Sequence, residues 1–413
     1  MKLIEVLVLA GFISPVALAA NGGSPYTVFG IGDLRMGSNA RTAGMGYTGI
    51  GLATPNSINS FAPATWIRIN RTRIEAGLLY EGFNSTDGNK SLYLARGDFN
   101  GALLAVPLAT STGLVFVAGV TPYSRVQYNF FASGERLGTD FTINHVGSGG
   151  LAKAQAGLSY SLTDYFSFGA SLDYLFGSIN HEQSFLLRPS LSVIGRQTET
   201  LNARGVIATV GGLFTGLDRI SESLRQVSVG FVVSSRGNLK SEQQLIYEFQ
   251  SSTEQDSSSI TKGRLTVPVA FGLGVSYQAG DRYLVAADYF TQSWGSTEIY
   301  SVSPGVFRNS VRTGVGGERL PSKDPTAPWL DRLTYRLGAY YNATYYRVNN
   351  EPINEWALTG GLAVPVAGDT HLNVGLEYGS RGTTDKGLVK EKFFRISLSL
   401  NISEQWFTRF EED

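Results

Sequence analysis

Between residues 152 and 177, apolar and polar positions alternate with a period of two on both sides of a short turn. Ala152, Ala154, Ala156, Leu158, Tyr160 and Leu162 share one parity; Lys153, Gln155, Gly157, Ser159 and Ser161 share the other. After Thr163-Asp164-Tyr165 the pattern resumes with Phe166, Phe168, Ala170, Leu172, Tyr174 and Phe176, opposed by Ser167, Gly169, Ser171, Asp173, Leu175 and Gly177. This is a β-hairpin whose three-residue turn pairs Leu162 with Phe166 and keeps both apolar sets on one face. A water-soluble sandwich usually carries charges on its polar face. Here that face is mainly Gly and Ser, and the apolar face has aromatics beside the turn. Strands of roughly nine to eleven residues with that pattern suit a membrane barrel.

The alternation recurs along the chain. Ile74, Ala76, Leu78 and Tyr80 form the outer face of a first strand, with Glu75 and Glu81 opposite. A second strand spans Ser91–Pro107 and a third Gly113–Phe130; Val206, Ala208 and Val210 mark the sixth, and Val227, Val229, Phe231 and Val233 the seventh. Leu265, Val267, Val269, Phe271, Leu273, Val275 and Tyr277 define an eighth, and a ninth covers Tyr283–Tyr300. Leu333–Tyr341, Trp356–Pro365, Leu372–Tyr378 and Phe394–Ile402 complete the obvious set. Single-chain bacterial barrels carry an even number of strands. Tight links at Leu108–Thr112, Thr163–Tyr165, Gln278–Asp281 and Ala367–Thr370 belong on one side, so one more crossing is needed before Leu333. Val311, Thr313 and Val315, with Arg312 and Glu318 opposite, supply it. The predicted fold is all-β, a 14-stranded antiparallel transmembrane β-barrel with an N-terminal plug. Gly134–Asp140, Pro189–Thr200, Ser251–Ser259 and Gly382–Gly387 then become outer loops.

Composition sharpens this picture. The 413 residues hold 34 basic and 34 acidic side chains, no Cys and three His, which argues against nucleic-acid binding, thiol chemistry and a His-built metal site. Lys2, the apolar run Val6–Ile13 and Ala17-Leu18-Ala19 have the form of a secretory leader over residues 1–19. Ala20, rather than Cys, comes next, so a lipid anchor is not expected. Residues 20–65 break the alternation: the run Ala43–Leu52 is glycine-rich, and Pro55 and Pro63 interrupt the stretch after it. No G-x-x-x-x-G-K-[ST] accompanies those glycines, so they read as close packing inside a barrel rather than as a phosphate loop. Residues 66–413 are the expected barrel. There is no G-x-S-x-G and no His beside a Ser and an acid, so neither catalysis nor a cofactor is expected. The inward charges Glu75, Asp173, Asp288, Arg336, Glu377 and Arg395 read as ion pairs that hold the plug. Pro122 lacks an N–H in the middle of the third strand, which implies either a bulge or a kink; Pro268 poses the same question in the eighth.

Several stretches in order resemble the FadL family of outer-membrane transporters for hydrophobic molecules. Ala43-Gly44-Met45-Gly46, closed by Phe61-Ala62-Pro63-Ala64, is similar to the family's glycine-rich start and its Asn-Pro-Ala element, with Ala62 where the family carries Asn. Gly119-Val120-Thr121-Pro122-Tyr123 resembles the family's third strand, Leu284–Trp294 with Asp288 a later one, and Tyr335–Tyr341 another. Leu376–Gly382 and Trp406-Phe407 look most like a branch common in Bacteroidetes. The resemblance implies passage of hydrophobic small molecules through a plugged lumen, with Gly44, Gly46, Phe61 and Pro63 in the plug and Gly119, Pro122 and Tyr123 at a lateral opening. It implies outer-membrane lipid, a hydrophobic ligand and the barrel-assembly machinery as partners. An accessory barrel of a protein-secretion system and a purely structural barrel are the alternatives.

Overall fold

The computed structural model describes residues 22–404, apart from 36, 38, 137–138, 188–191, 250–256, 298–306 and 325. The expected leader and the Trp406-Phe407 ending lie outside the described residues. Eighteen strand segments join into one antiparallel sheet. One of them, Asp33–Leu34, precedes the wall, and three staves are each interrupted once, so the wall is a closed barrel of fourteen strands. They are β1 (Thr72–Thr86), β2 (Ser91–Ala109), β3 (Leu114–Pro122 and Ser124–Arg136), β4 (Thr139–Ser161), β5 (Phe166–Leu187), β6 (Ser192–Phe214) and β7 (Val227–Ser234 and Gly237–Phe249). Next come β8 (Ser257–Val267 and Ala270–Ala279), β9 (Tyr283–Gln292), β10 (Ser310–Arg319), β11 (Thr334–Val348), β12 (Glu351–Ala367), β13 (Thr370–Arg381) and β14 (Lys390–Glu404). Closure is made by β14 on β1, from Lys390 opposite Thr86 to Glu404 opposite Thr72. In hydrocarbon no water can satisfy a free edge, so closure is the condition for a sheet to cross a membrane.

The faces follow the alternation. Tyr160 opposes Phe168, Leu158 opposes Ala170 and Ala156 opposes Leu172. That register is the one a turn pairing Leu162 with Phe166 dictates. Leu158 and Leu172 are 46% and 64% exposed, whereas Ser159 and Asp173 between and opposite them are 1% exposed. Ile74, Val206, Leu273, Val315, Leu337, Leu358 and Leu398 repeat the outward pattern around the barrel. Tyr289 on β9 and Tyr341, Trp356, Tyr378 and Phe394 on β11–β14 are exposed at about one level, as an aromatic girdle at a membrane–water boundary requires. The weakest predicted strand is present: on β10, Val315 faces out and Arg312 and Glu318 face in.

Four expectations are corrected. Gly134–Asp140 and Pro189–Thr200 are mostly strand rather than loop, because β4, β5 and β6 run for 22 or 23 residues. At about 3.3 Å per residue such strands far exceed an apolar band of roughly 25 Å, so they stand well outside the membrane. The ninth strand stops at Gln292, and a 3-10 turn at Trp294–Ser296 comes after it; 298–300 lie outside the described residues. The wall begins at Thr72 rather than Trp66, since Pro63–Arg68 is a 3-10 helix. Finally, Leu265 and Val267 are 1% exposed while Val269 and Leu273, of the same parity, are 46% and 44% exposed. β8 breaks at Pro268-Val269 and its faces invert there, which proline's missing donor permits only at an interruption.

Because Leu172 faces lipid near the middle of the hairpin, Leu172→Arg is expected to lower the unfolding free energy by about 2–4 kcal/mol. Urea titration in lipid vesicles measures this, and a change below about 0.5 kcal/mol would show that the outward face is not in hydrocarbon.

Candidate functional site

Residues 22–68 carry little regular structure: Pro25–Val28 and Pro63–Arg68 are 3-10 helices, and α1 (Ala40–Gly44) is a single short helix. Asn39 caps α1, its Oδ1 accepting the Thr42 amide at 2.9 Å. The segment is buried against inward faces on all sides of the wall, and glycines on both partners make the approach close. Gly46 lies at φ +62°, a left-handed conformation that favours glycine, and a methyl there would sit 2.7 Å from the Val315 carbonyl oxygen. A methyl on the facing wall at Gly338 would lie 2.6 Å from the Gly46 nitrogen. Gly44 packs on Gly360 and Gly361. Pro63 opens the second 3-10 helix, which fits proline at a helix start, and lies against the wall glycine Gly169. Where Ala62 has no side-chain acceptor, Asn59 takes the role: its Oδ1 accepts the Phe61 amide at 2.9 Å and its Nδ2 donates to the Gly49 carbonyl at 2.9 Å.

The wall is interrupted where Pro122 ends the lower half of β3. Below the break, β3 pairs with both neighbours, β2 at Ala102–Ala109 and β4 at Ala152–Ser159. Gly119 lies there, and a methyl on it would meet the Leu103 Cα at 2.8 Å. Above the break, β3 keeps β4 but has no pairing with β2. The N-terminal segment takes β2's place. Leu34 and Asp33 pair with Ser124 and Arg125, and the Arg35 amide donates to the Tyr123 carbonyl at 2.9 Å. The Thr27 hydroxyl donates to the Gln127 carbonyl at 3.0 Å, and its oxygen accepts the Gln127 amide at 3.1 Å. Arg125 also forms an ion pair with Asp98 of β2 across the gap. Across the lumen, Gln292 of β9 donates to the Tyr123 hydroxyl at 3.1 Å.

A pocket with about 660 Å³ of empty space, part of it open to solvent, lies at this level. Both interrupting prolines, Pro122 and Pro268, line it, with Tyr123, Phe61, Phe290, Ile207 and Val267. Phe61 and Phe290 meet edge to face at 6.2 Å. A second pocket, with about 800 Å³ of empty space that also includes open solvent, shares Leu34, Arg35, Gly37 and Phe290 with it. The upper lumen beside them is apolar: Ile31, Val126, Leu175, Ile179, Leu239, Leu265, Tyr345 and Tyr346 form one buried cluster.

Charge fills the opposite side of the lumen. Glu81 accepts from Arg35 at 2.7 Å, Arg96 at 2.6 Å and Arg395 at 2.7 Å, and it is fully buried. Arg395 continues to Glu355 at 2.9 Å and to Glu377 at 3.4 Å, and the Tyr47 hydroxyl donates to Glu377 at 2.6 Å. Glu318 is shared by Arg336 at 2.8 Å and by Arg41 of α1 at 2.6 Å. The six inward charges singled out in the sequence are all buried, and they divide into two kinds. Glu377, Arg395 and Arg336 belong to ion pairs. The other three are held by neutral donors: Glu75 accepts the Ile58 amide at 2.9 Å, Asp288 the Gly49 and Ile50 amides at 2.7 and 2.9 Å, and Asp173 the Thr209 hydroxyl at 2.8 Å. Arg35, Arg41 and Arg96 carry no signal in the sequence, because two lie in a segment without periodicity and one on a loosely patterned strand.

A sequence model of the BamG family matches residues 1–411. No curated protein matches the sequence. Among solved structures, a Pseudomonas aeruginosa FadL homologue superposes with a TM-score of 0.60 at 15% identity, over 90% of this chain and 99% of that one. The P. putida toluene transporter TodX gives 0.59 at 17% identity, over 91% and 100%. The Ralstonia pickettii toluene transporter TbuX gives 0.57 at 16% identity, over 89% and 98%. The likeness establishes a FadL-like barrel fold.

Replacing Glu81 by Gln removes the carboxylate that three arginines share, leaving Asp98 to Arg35 and Arg96, and Glu355 and Glu377 to Arg395. Removing one partner of a buried pair typically costs about 3–5 kcal/mol. Glu81→Gln is therefore expected to lower barrel stability by that amount in urea titration, and an unchanged midpoint would mean that water screens the cluster.

Proposed function

The chain belongs to the BamG family, and on that premise we propose that it is an outer-membrane barrel passing hydrophobic small molecules, fatty-acid-like or otherwise apolar, through a lumen plugged by its N-terminal segment. The observation that carries this reading is the single cavity lined by Pro122 and Pro268, beside the gap between the upper halves of β2 and β3. An apolar solute that reaches it can leave sideways into hydrocarbon without crossing water, the direction its hydrophobicity favours. Gly119, Pro122 and Tyr123 are the residues of this lateral exit; Gly44, Gly46, Phe61 and Pro63 seat the plug, and the lumen charges tether it. The plug is taken as residues 20–65, after a cleaved leader, with the barrel beyond it. The structural neighbours described as toluene transporters support transport rather than catalysis, and the barrel fold suits the outer membrane. The ending Leu376–Gly382 supports placement in the Bacteroidetes-like branch.

The family's name favours a second reading, an accessory barrel with a link to barrel assembly. It predicts that loss of the protein lowers the abundance of other outer-membrane barrels, measured by quantitative proteomics of membranes. Unchanged abundance would remove that reading.

Two experiments test the first. Deleting Asn21 to Ser60 is expected to leave a folded barrel with raised conductance in a planar bilayer; unchanged conductance would exclude a blocking role. Joining Asp98→Cys to Arg125→Cys with a bifunctional maleimide fixes β2 to β3 across the gap. Uptake of labelled toluene is expected to fall to background in the cross-linked barrel. Full uptake through it would exclude the lateral exit at this site.

A further inference from the structure

The outer face of the wall changes character where its apolar band ends, and on β6–β8 it does so in an unusual way. On β5 the outward positions are apolar up to Tyr174 and Phe176, and Ser178, Asn180 and Glu182 follow. On β6 the outward run Val210, Ala208, Val206 ends at Arg204. On β7 the exposed Val229 and Phe231 give way, above the interruption, to Asn238 and Lys240. On β8 Leu273, Phe271 and Val269 give way, across the inversion at Pro268, to Thr266 and Arg264. Arg204 lies opposite Phe176 on one side and Lys240 on the other, and Lys240 lies opposite Arg264. Three exposed cations therefore stand side by side on adjacent strands, at the spacing where like charges oppose strand pairing.

Among the described residues none of the three forms an ion pair. Carboxylates are used for that purpose elsewhere on the same sheet. Two residues up, Glu242 faces Lys262, and nearer the tip Arg196 meets Glu182 at 3.2 Å and Glu248 at 3.9 Å. The row lies just above lipid-facing side chains, on the side of the barrel away from its short turns, so it meets the headgroups of the outer leaflet. A phosphate set between the cations relieves their repulsion and accepts charge-assisted hydrogen bonds, for which the arginine fork is suited. The acyl chains of the same molecule then lie along Val206, Val210, Phe271 and Leu273, continuous with the lipid-facing band. Resting on the outer-membrane placement proposed above, we propose that Arg204, Lys240 and Arg264 form a headgroup site for a phosphorylated glycolipid of the outer leaflet. Such a lipid fixes the depth of the barrel at the foot of the tall β4–β6 sheet.

The test measures lipid binding to the whole barrel in mild detergent by native mass spectrometry, with bisphosphorylated lipid A and the same lipid stripped of both phosphates as probes. The wild type is expected to bind the phosphorylated form at least about tenfold more tightly, the gain of one charge-assisted bond. Arg204→Gln, Lys240→Gln and Arg264→Gln together are expected to lose that preference and still form a barrel, because they remove like-charge contacts. Lys390→Gln with Lys392→Gln removes two exposed cations of β14 that face only Thr86, Asn84 and Ser380, and is expected to keep the preference within about twofold. Inorganic phosphate in excess, at constant ionic strength, is expected to leave the lipid bound. Equal binding of the two probes by the wild type, a preference surviving the triple substitution, or an equal loss in the β14 variant overturns the proposal and leaves the transport reading standing. Displacement by inorganic phosphate does the same, since it marks a free-anion site. Recovery of the protein outside the outer-membrane fraction overturns both. If the triple variant does not form a barrel, Lys240→Gln at the centre of the row decides by the same readout.

Discussion

Every amide of a sheet in hydrocarbon must find its partner within the protein, and this constraint organises the molecule. It is met by closing β14 on β1 and by pairing each of the fourteen staves with both neighbours over the lower part of the wall. It is also why the interruptions are confined in kind and place. Pro122 and Pro268 cannot donate, so the ladder stops at each of them. At β3 the freed groups pass to the N-terminal segment: Tyr123 and Gln127 bond to Arg35 and Thr27, and Ser124 and Arg125 face Leu34 and Asp33. The segment therefore completes the wall where the upper half of β3 parts from β2. Moving it has a direct consequence, because a row of backbone groups loses its partners at that moment.

The same economy explains the composition. The 49 glycines would weaken an ordinary sheet, since each adds chain entropy and contributes no side chain. In this barrel many face the lumen, where a methyl group would collide with the backbone of the N-terminal segment, as at Gly338 against Gly46. Close backbone contact leaves little space for water, and it leaves the charges of β1, β13 and β14 to be neutralised by one another. Glu81 is satisfied by arginines from three distant parts of the chain, at positions 35, 96 and 395. Such clusters contribute less to stability than their number suggests, because dehydration offsets attraction. Their geometric demand is strict, however: Arg35 and Arg41 fix where the segment sits.

The strand count was legible because lipid imposes a strict apolar parity on one face. Even the weak tenth strand was recoverable from Val311, Thr313 and Val315 once closure required it. Legibility ended where lipid ends. Beyond the membrane no lipid imposes an apolar face on β4–β6, so Gly134–Asp140 and Pro189–Thr200 look like loops although they are largely strand. The inversion in β8 was hidden for a different reason. Leu265 and Val267 are as apolar as Phe271 and Leu273, and period-two reading cannot tell an apolar lumen from lipid. Pro122 could be marked from its missing donor alone. Its replacement partners could not, because Asp33-Leu34 is too short to have a period and its pairing spans about ninety residues of sequence.

The two chemistries of the lumen also set where a solute can rest. Glu81, Arg96, Arg395 and Glu377 make one side of the interior costly for an apolar body, which would have to displace charge-assisted hydrogen bonds. Leu175, Ile179, Leu239 and Leu265 make the other side favourable, at about 25 cal/mol for each Å² taken from water. The cavity lined by Pro122 and Pro268 lies where these regions meet, with Ile207 and Val267 on one hand and Lys153 and Asp173 on the other. The break in β3 stands at that same level, so the ladder between β2 and β3 ends where the apolar and the charged regions of the lumen meet.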